Sequence, residues 1–370
     1  MCAACAPARD ADKLLRRLDF APYGSAVTRL LLRSCIPLLL FAALPAGAAG
    51  NAPSSPFAAS TLRTEDARVA AVAYRLALAG ETLCPEPSPL TGMLFHHLAE
   101  YLPADRLLMI ERYGLDRGPG VLTVLAGSPA EQAGLVAGDV LLKVNGRPLP
   151  TGASIAADPE RKSWRRRIEA TEAQLEAELR KGAADIVALR EGRELRLTLG
   201  SRPGCPARVR LARSPLPQAK DGSAPPTDRL ERLRLARDKD VNAFVTDGRV
   251  TITTAMLDFI ENDDELALIL AHEMGHLILK HPPMHEGDKL LASIGIRSGT
   301  FWKREEAADR LGIRLLAAAG YDVEAVIPFW RRFLRAYDTP QIFRYHPSLG
   351  ARERIAREEI QAIRAARPSL

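Results

Sequence analysis

The sequence predicts an α+β fold, on three observations. The stretch LALILAHEMGHLILKHPPMH, Leu266 to His285, opens as a mostly apolar helix with two histidines four residues apart. A block from Leu107 to Gly200 alternates strand-like runs with glycine turns around one charged helix. Between them SRPGCPARVRLARSPLPQAKDGSAPPTD (201–228) is rich in Pro, Ser and Gly, the composition of a connector. The 370 residues, 47% of them hydrophobic, suffice for two or three domains with their own cores. The net charge is +6, and the 42 Arg and nine Lys are interspersed with acids. That pattern argues against nucleic-acid binding.

From the N-terminus, Arg29 and Arg33 precede CIPLLLFAALPAGAAG, which closes on Ala46-Gly47-Ala48. A positive start, a short apolar run and a small-residue end make a secretory signal with cleavage after Ala48. Pro37 and Pro45 interrupt the run, which is short for a membrane span. An uncleaved anchor is the alternative, with peripheral membrane association left open. Cys35 precedes the apolar run instead of ending it, unlike a lipoprotein site. Residues 1–26 sit upstream of this signal, so the expected start is Val27, read from a non-standard codon. The exported chain would keep Cys84 and Cys205, an even number in an oxidising, periplasmic compartment. These two bracket the strand-rich block, and a disulfide between them would pin its base.

Residues 64–80, TEDARVAAVAYRLALAG, carry apolar positions at helical spacing, with Thr64 to cap and Gly80 to stop the helix. GMLFHHLAEYL (92–102) is expected as a short helix or turn. Its adjacent His96 and His97 would point about 100° apart on a helix, so they are read as structural.

Within the block, GVLTVLAGSPAEQAGLVAGDVLLKVNGRPL (120–149) reads as strand, short helix and strand, with Gly134 and Gly138 at turns. SWRRRIEATEAQLEAELRKG (163–182) is an amphipathic helix, and ADIVALREGRELRLTLG (184–200) a hairpin around Glu191-Gly192. The core GSPAEQAGLVAGDVLLKVNG resembles a PDZ domain of the bacterial protease type. That resemblance implies a groove along the 163–182 helix, where an extended peptide ligand adds as a strand. The carboxylate-binding loop has only YGLD (113–116) as a candidate. A spacer that binds nothing is the alternative.

NAFVTDGRVTITTAML reads as a hairpin around Asp247-Gly248. Asn262, with Glu265 three residues on, then opens the apolar helix. His272 and His276 lie one turn apart on one face, about 6 Å along the axis, so both imidazoles can reach one ion. Glu273 is rotated off that line and can serve as general base toward the attacking water, the logic of the H-E-x-x-H spacing. His281 and His285, beside Pro282-Pro283, are read as a surface loop.

Downstream, FWKREEAADRLGIRLLAAAGYD (301–322) is helical, with Glu305 and Asp309 on one face and Glu306 about 100° away. HEMGH followed by EEAAD resembles the zinc metallopeptidases of the HtpX and CAAX-prenyl endopeptidase type, peptidase family M48. NAF at 242–244 and YHPSLGARERI at 345–355 fit the same family. The resemblance implies one zinc ion on His272, His276 and Glu305, with Asp309 orienting a ligand histidine. It implies Glu273 as catalytic base. It also brings His346 toward the zinc, as oxyanion donor or as a resting ligand.

The expected architecture is a zincin-like metallopeptidase domain with an inserted PDZ-like module. Its parts are a leader (1–48), an N-terminal helical segment (49–105), the PDZ-like domain (106–201), a linker (202–228) and the peptidase (229–370). The expected function is a periplasmic or secreted zinc endopeptidase acting on proteins or peptides, with the PDZ-like module recruiting or gating them. The alternative is a PDZ-type binding protein or chaperone with a structural zinc.

Overall fold

The computed structural model describes residues 56–101, 106–151, 161–212, 241–246, 248–282, 299–337 and 347–366. The leader, most of the connector, His285 and His346 lie outside these residues.

In chain order, helix α1 (Pro56–Ala79) is followed by β1 (Ser88–Leu90), β2 (Met93–His96), α2 (Arg106–Tyr113) and β3 (Gly120–Val124). Next come α3 (Pro129–Gln132), β4 (Val140–Val144), β5 (Arg147–Pro148), α4 (Arg161–Leu179), β6 (Ala184–Arg190) and β7 (Arg193–Leu199). Strands β8 (Arg202–Gly204), β9 (Val209–Ala212), β10 (Ala243–Thr246) and β11 (Arg249–Thr253) follow. The chain then runs through α5 (Thr254–Phe259), α6 (Asp263–Ile278), α7 (Gly299–Ala318), α8 (Val326–Ala336) and α9 (Leu349–Ala366).

Among the described residues, two large cores and one small cluster organise this α+β molecule. The larger is built on α6: Leu266, Leu270 and Met274 pack with Leu76 of α1, Leu316 of α7 and Phe329 of α8. Helix α1 belongs to this core although the whole strand-rich block separates it from α6 in sequence. The block is thus an insertion in structure as well as in sequence. Its own core gathers Val121, Leu141, Val144, Leu175, Ile186 and Leu199 under a sheet ordered β2-β3-β4-β6-β7, with β5 paired to β4. The β6–β7 hairpin turns at Glu191 and Gly192, both with positive φ (49° and 78°), the two-residue geometry that matches strand twist.

Two expectations fail at the edges of the block. Residues 93–96 form a strand antiparallel to β3, not a helix, and only Leu98–Glu100 makes a helical turn. A short apolar run carries no period that separates strand from helix, and pairing with β3 decides it. The sheet therefore begins at Met93, ahead of the expected boundary at 106. At the other end, 202–212 is not a loose linker. Strand β8 pairs with β1, and β9 runs parallel to β11, with Val209 opposite Val250. The Pro and Gly content hid a short alternating run, Val209 and Leu211.

At the seam, a disulfide joins Cys84 to Cys205, their Cα atoms 5.5 Å apart. The backbone N–H of Cys205 donates to the carbonyl of Ala77 at 2.9 Å. The bridge ties the end of α1 to the exit of the inserted sheet.

Candidate functional site

Helix α6 begins where Asn262 caps it, accepting the Glu265 N–H at 3.0 Å. Glu265 is buried and takes two bonds from Arg332 of α8, at 2.7 and 2.6 Å, which fixes the helix against its neighbour. Helix α7 crosses α6 at two glycines. A Cβ on Gly275 would lie 3.0 Å from the Ala308 carbonyl oxygen, and one on Gly312 would lie 3.1 Å from the His272 amide nitrogen. This close approach carries Glu305 to the two histidines.

His272, His276 and Glu305 converge on one point. Nε2 of His272 is 3.3 Å from Nε2 of His276. Glu305 places Oε2 at 3.6 Å from His272 Nε2 and Oε1 at 3.3 Å from His276 Nε2. A small cation held tetrahedrally at about 2 Å would keep its ligand atoms about 3.3–3.4 Å apart. The three separations therefore fit an ion at the centre. Among the described residues this is the one group of three or more His, Cys, Asp or Glu with ligand atoms all within 4.8 Å of one another. Glu306 is elsewhere, paired with Arg310 at 2.8 Å.

Around these donors the charge is arranged by burial. Glu273, Glu305 and Asp309 are all buried, as is His272. Burial works against the charged form of His272, but Asp309 and Glu305 outweigh it and push the imidazole up to about 10. The buried carboxylates beside His272 thus favour positive charge here, which a metal cation would supply in place of a proton. Burial also raises the Asp309 carboxyl, yet Arg352 and His272 outweigh that and hold it below the usual carboxylate range. Asp309 Oδ1 lies 2.9 Å from Nδ1 of His272, on the ring edge away from Glu305, although the ring N–H is not well aligned for a hydrogen bond.

Sequence reasoning missed two residues. Arg352 of α9 is buried, donates to Asp309 at 3.0 Å, lies 3.8 Å from Glu305 and stacks 3.7 Å above the Trp330 ring. It shares one helical face with Ile355, Ala356 and Glu359, and a cation on an apolar stripe is the signal that was available. Helix α9 is held on α7 by Arg310 and Arg314, both bonded to Glu359, at 2.9 and 2.7 Å. The second is His281, which lies in the loop expected for it, part-buried, with its Nδ1 2.9 Å from Nδ1 of His276. Burial first, then the charges of His276 and Arg304, push it down to about 4. His346 lies outside the described residues.

A second cleft, of about 390 Å³, opens between the inserted sheet and the larger core. The edge strand β2 lines it with Met93, Leu94 and Phe95, and α4 lines it with Leu175 and Leu179. This cleft runs along the C-terminal half of α4, with β2 as its other wall. YGLD is not part of it, because Leu115 is buried in a separate cluster with Leu98 and Met109. The turn into β2 is instead Leu90–Gly92, with Gly92 at φ 72°. The far wall is the end of α6, Leu277 and Ile278. Ion pairs span this seam: Glu172 and Glu176 of α4 meet Arg249 of β11 and Arg208. His97, expected to be structural, is buried at the same seam. Burial, with Arg249 and His96 beside it, pushes its imidazole down to about 3, so it stays neutral.

The comparisons with known proteins agree with this division. Residues 210–296 and 291–360 match the model of Peptidase family M48, and residues 120–157 match that of a PDZ domain. The C-terminal part is thus similar to M48 peptidase domains, and residues 120–157 of the inserted block to PDZ domains. The chain is 26% identical over 167 residues to the beta-barrel assembly-enhancing protease of Escherichia coli K12, covering 35% of this chain and 34% of that protein. It is 28% identical over 103 residues to the mitochondrial metalloendopeptidase OMA1 of Arabidopsis thaliana, covering 22% of this chain and 21% of that one. The chain thus spans between about a fifth and a third of the length of these relatives. The HtrA3 PDZ domain, in a crystal structure with a phage-derived ligand, aligns at 18% identity and a TM-score of 0.22, covering 32% of this chain and 89% of that one.

Proposed function

We propose that this chain is a zinc-dependent endopeptidase acting on protein or peptide substrates. The observation that carries the reading is the donor triangle of His272, His276 and Glu305, spaced as ligands of one tetrahedral ion. Three converging protein donors, as among the described residues, is the count of catalytic zinc sites, whereas structural ones carry four. The M48 match and the peptidase names of both relatives support hydrolysis.

A zinc ion bound there would supply Lewis acidity, polarising the scissile carbonyl and lowering the pKa of water. The chain's own groups do the rest. Glu273, next to His272 but rotated about 100° from it, takes the proton of the attacking water and returns it to the leaving amine. Asp309 fixes the His272 ring, and Arg352 balances the charge of Asp309 and Glu305. For His346 both roles that the family resemblance implies stand, oxyanion donor or resting ligand.

The cleft between β2 and α4 would take an extended segment as an added strand, delivering it beside the end of α6. Export to the periplasm is supported by the leader pattern and by the Cys84–Cys205 bridge, which suits an oxidising compartment. No helix among the described residues is long and apolar enough to cross a membrane. Chelation tests the reading. Casein or peptide cleavage should stop when zinc is stripped and return when about one equivalent is restored. Cleavage that survives complete removal of metal would refute it.

A further inference from the structure

With both Nε2 atoms turned to the donor triangle, each histidine of α6 has Nδ1 left to place. A ligand imidazole bound through Nε2 carries its proton on Nδ1, and whatever accepts that proton sets the ring's orientation and basicity. For His272 the group at Nδ1 is Asp309. For His276 it is His281, with 2.9 Å between the two Nδ1 atoms and the rings 5.0 Å apart, edge to face.

The backbone builds this contact. Lys280 has φ 52°, the left-handed region that usually falls to glycine after a helix. Its N–H donates to the Leu277 carbonyl at 3.1 Å, and the N–H of His281 donates to the His276 carbonyl at 3.0 Å. This paired 5→2 and 6→1 closure reverses the chain over the last turn of α6. The same reversal that satisfies the His276 carbonyl carries the His281 ring onto the His276 ring. A lysine held at positive φ is strained, and Lys280 also pairs with Glu86 at 2.8 Å.

We propose that His281 is a positioning residue of the metal centre: its Nδ1 accepts the Nδ1–H of His276 and holds that ligand's Nε2 toward the ion. The inference rests on the zinc reading above. It makes the two ligand histidines unequal, one backed by a carboxylate and the other by an imidazole.

The test compares H281L, which cannot accept a hydrogen bond, with H281Q, whose amide oxygen can. Zinc affinity of the purified full chain is measured by competition with a chromogenic chelator, alongside the absorption spectrum of the cobalt-loaded protein and circular dichroism. H281L should bind zinc about 10–100-fold more weakly, with a shifted cobalt spectrum. H281Q should keep most of the affinity. Turnover should follow, with kcat lowered and KM unchanged. H281A is the second non-accepting variant should H281L fail to fold. Wild-type affinity in the non-accepting variant, or an equal loss in H281Q, overturns the proposal. A wild-type chain that binds no zinc at all refutes the metal reading itself, and the role of His281 falls with it.

Discussion

The metal centre and the groove of the inserted domain are built on opposite plans. The first is a closed set of charges. Three helices, α6, α7 and α9, place imidazole, carboxylate and guanidinium groups within 3–4 Å of one another. The second is a sheet edge and an apolar helix face, tied to the larger core by ion pairs at its rim. Chemistry needs rigid, desolvated groups, whereas recruiting varied segments needs backbone pairing and tolerant apolar walls. The two meet at the end of α6, where Leu277 and Ile278, the two residues after His276, line the groove.

Breaking the disulfide should act on both regions. The bridge closes a loop spanning 121 residues, and losing it removes roughly 4–5 kcal/mol in the chain-entropy model. Cys84→Ala with Cys205→Ala should show that loss in urea unfolding. Removing Arg352 should act on the metal centre alone. Arg352→Met leaves the Asp309 and Glu305 carboxylates buried without their guanidinium partner, at a cost of about 3–5 kcal/mol in metal-free protein. Added zinc should restore more stability to this variant than to the wild type, as thermal shifts would record. Gly312→Val forces α7 away from His272. It should cost about 1–3 kcal/mol and abolish high-affinity zinc binding, while peptide binding to the groove is kept. The smallest effect belongs to the rim: Glu176→Gln breaks the part-exposed pair with Arg208. It should cost about 0.2–1 kcal/mol and leave zinc affinity unchanged, an outcome checked by chemical denaturation and zinc titration.

The same contrast explains what the sequence could show. HEMGH puts two histidines at a fixed helical spacing, so His272 and His276 could be picked out from the residues alone, whereas Glu305 came only from the resemblance that EEAAD carries. Asn262 and Glu265 announced the helix start in the same local way. His281 could not be read, because its place depends on a left-handed turn at Lys280, where no glycine or asparagine gives the signal. Strands β2 and β9 were hidden for another reason. Each is four residues long and owes its conformation to a distant partner, β3 or β11. Arg352 lay in plain view on an apolar face, but its partners are 43 and 47 positions away in sequence.

Glu273 gives the most direct test of the central claim, that the donor triangle serves hydrolysis. Glu273→Gln keeps the shape of the side chain and removes only its capacity to take a proton. Zinc content and casein cleavage would be measured on the same preparation. The account predicts about one zinc per chain, as in the wild type, with cleavage reduced by at least about 10²–10⁴-fold, the usual contribution of a general base. Retained cleavage at full zinc occupancy would contradict it.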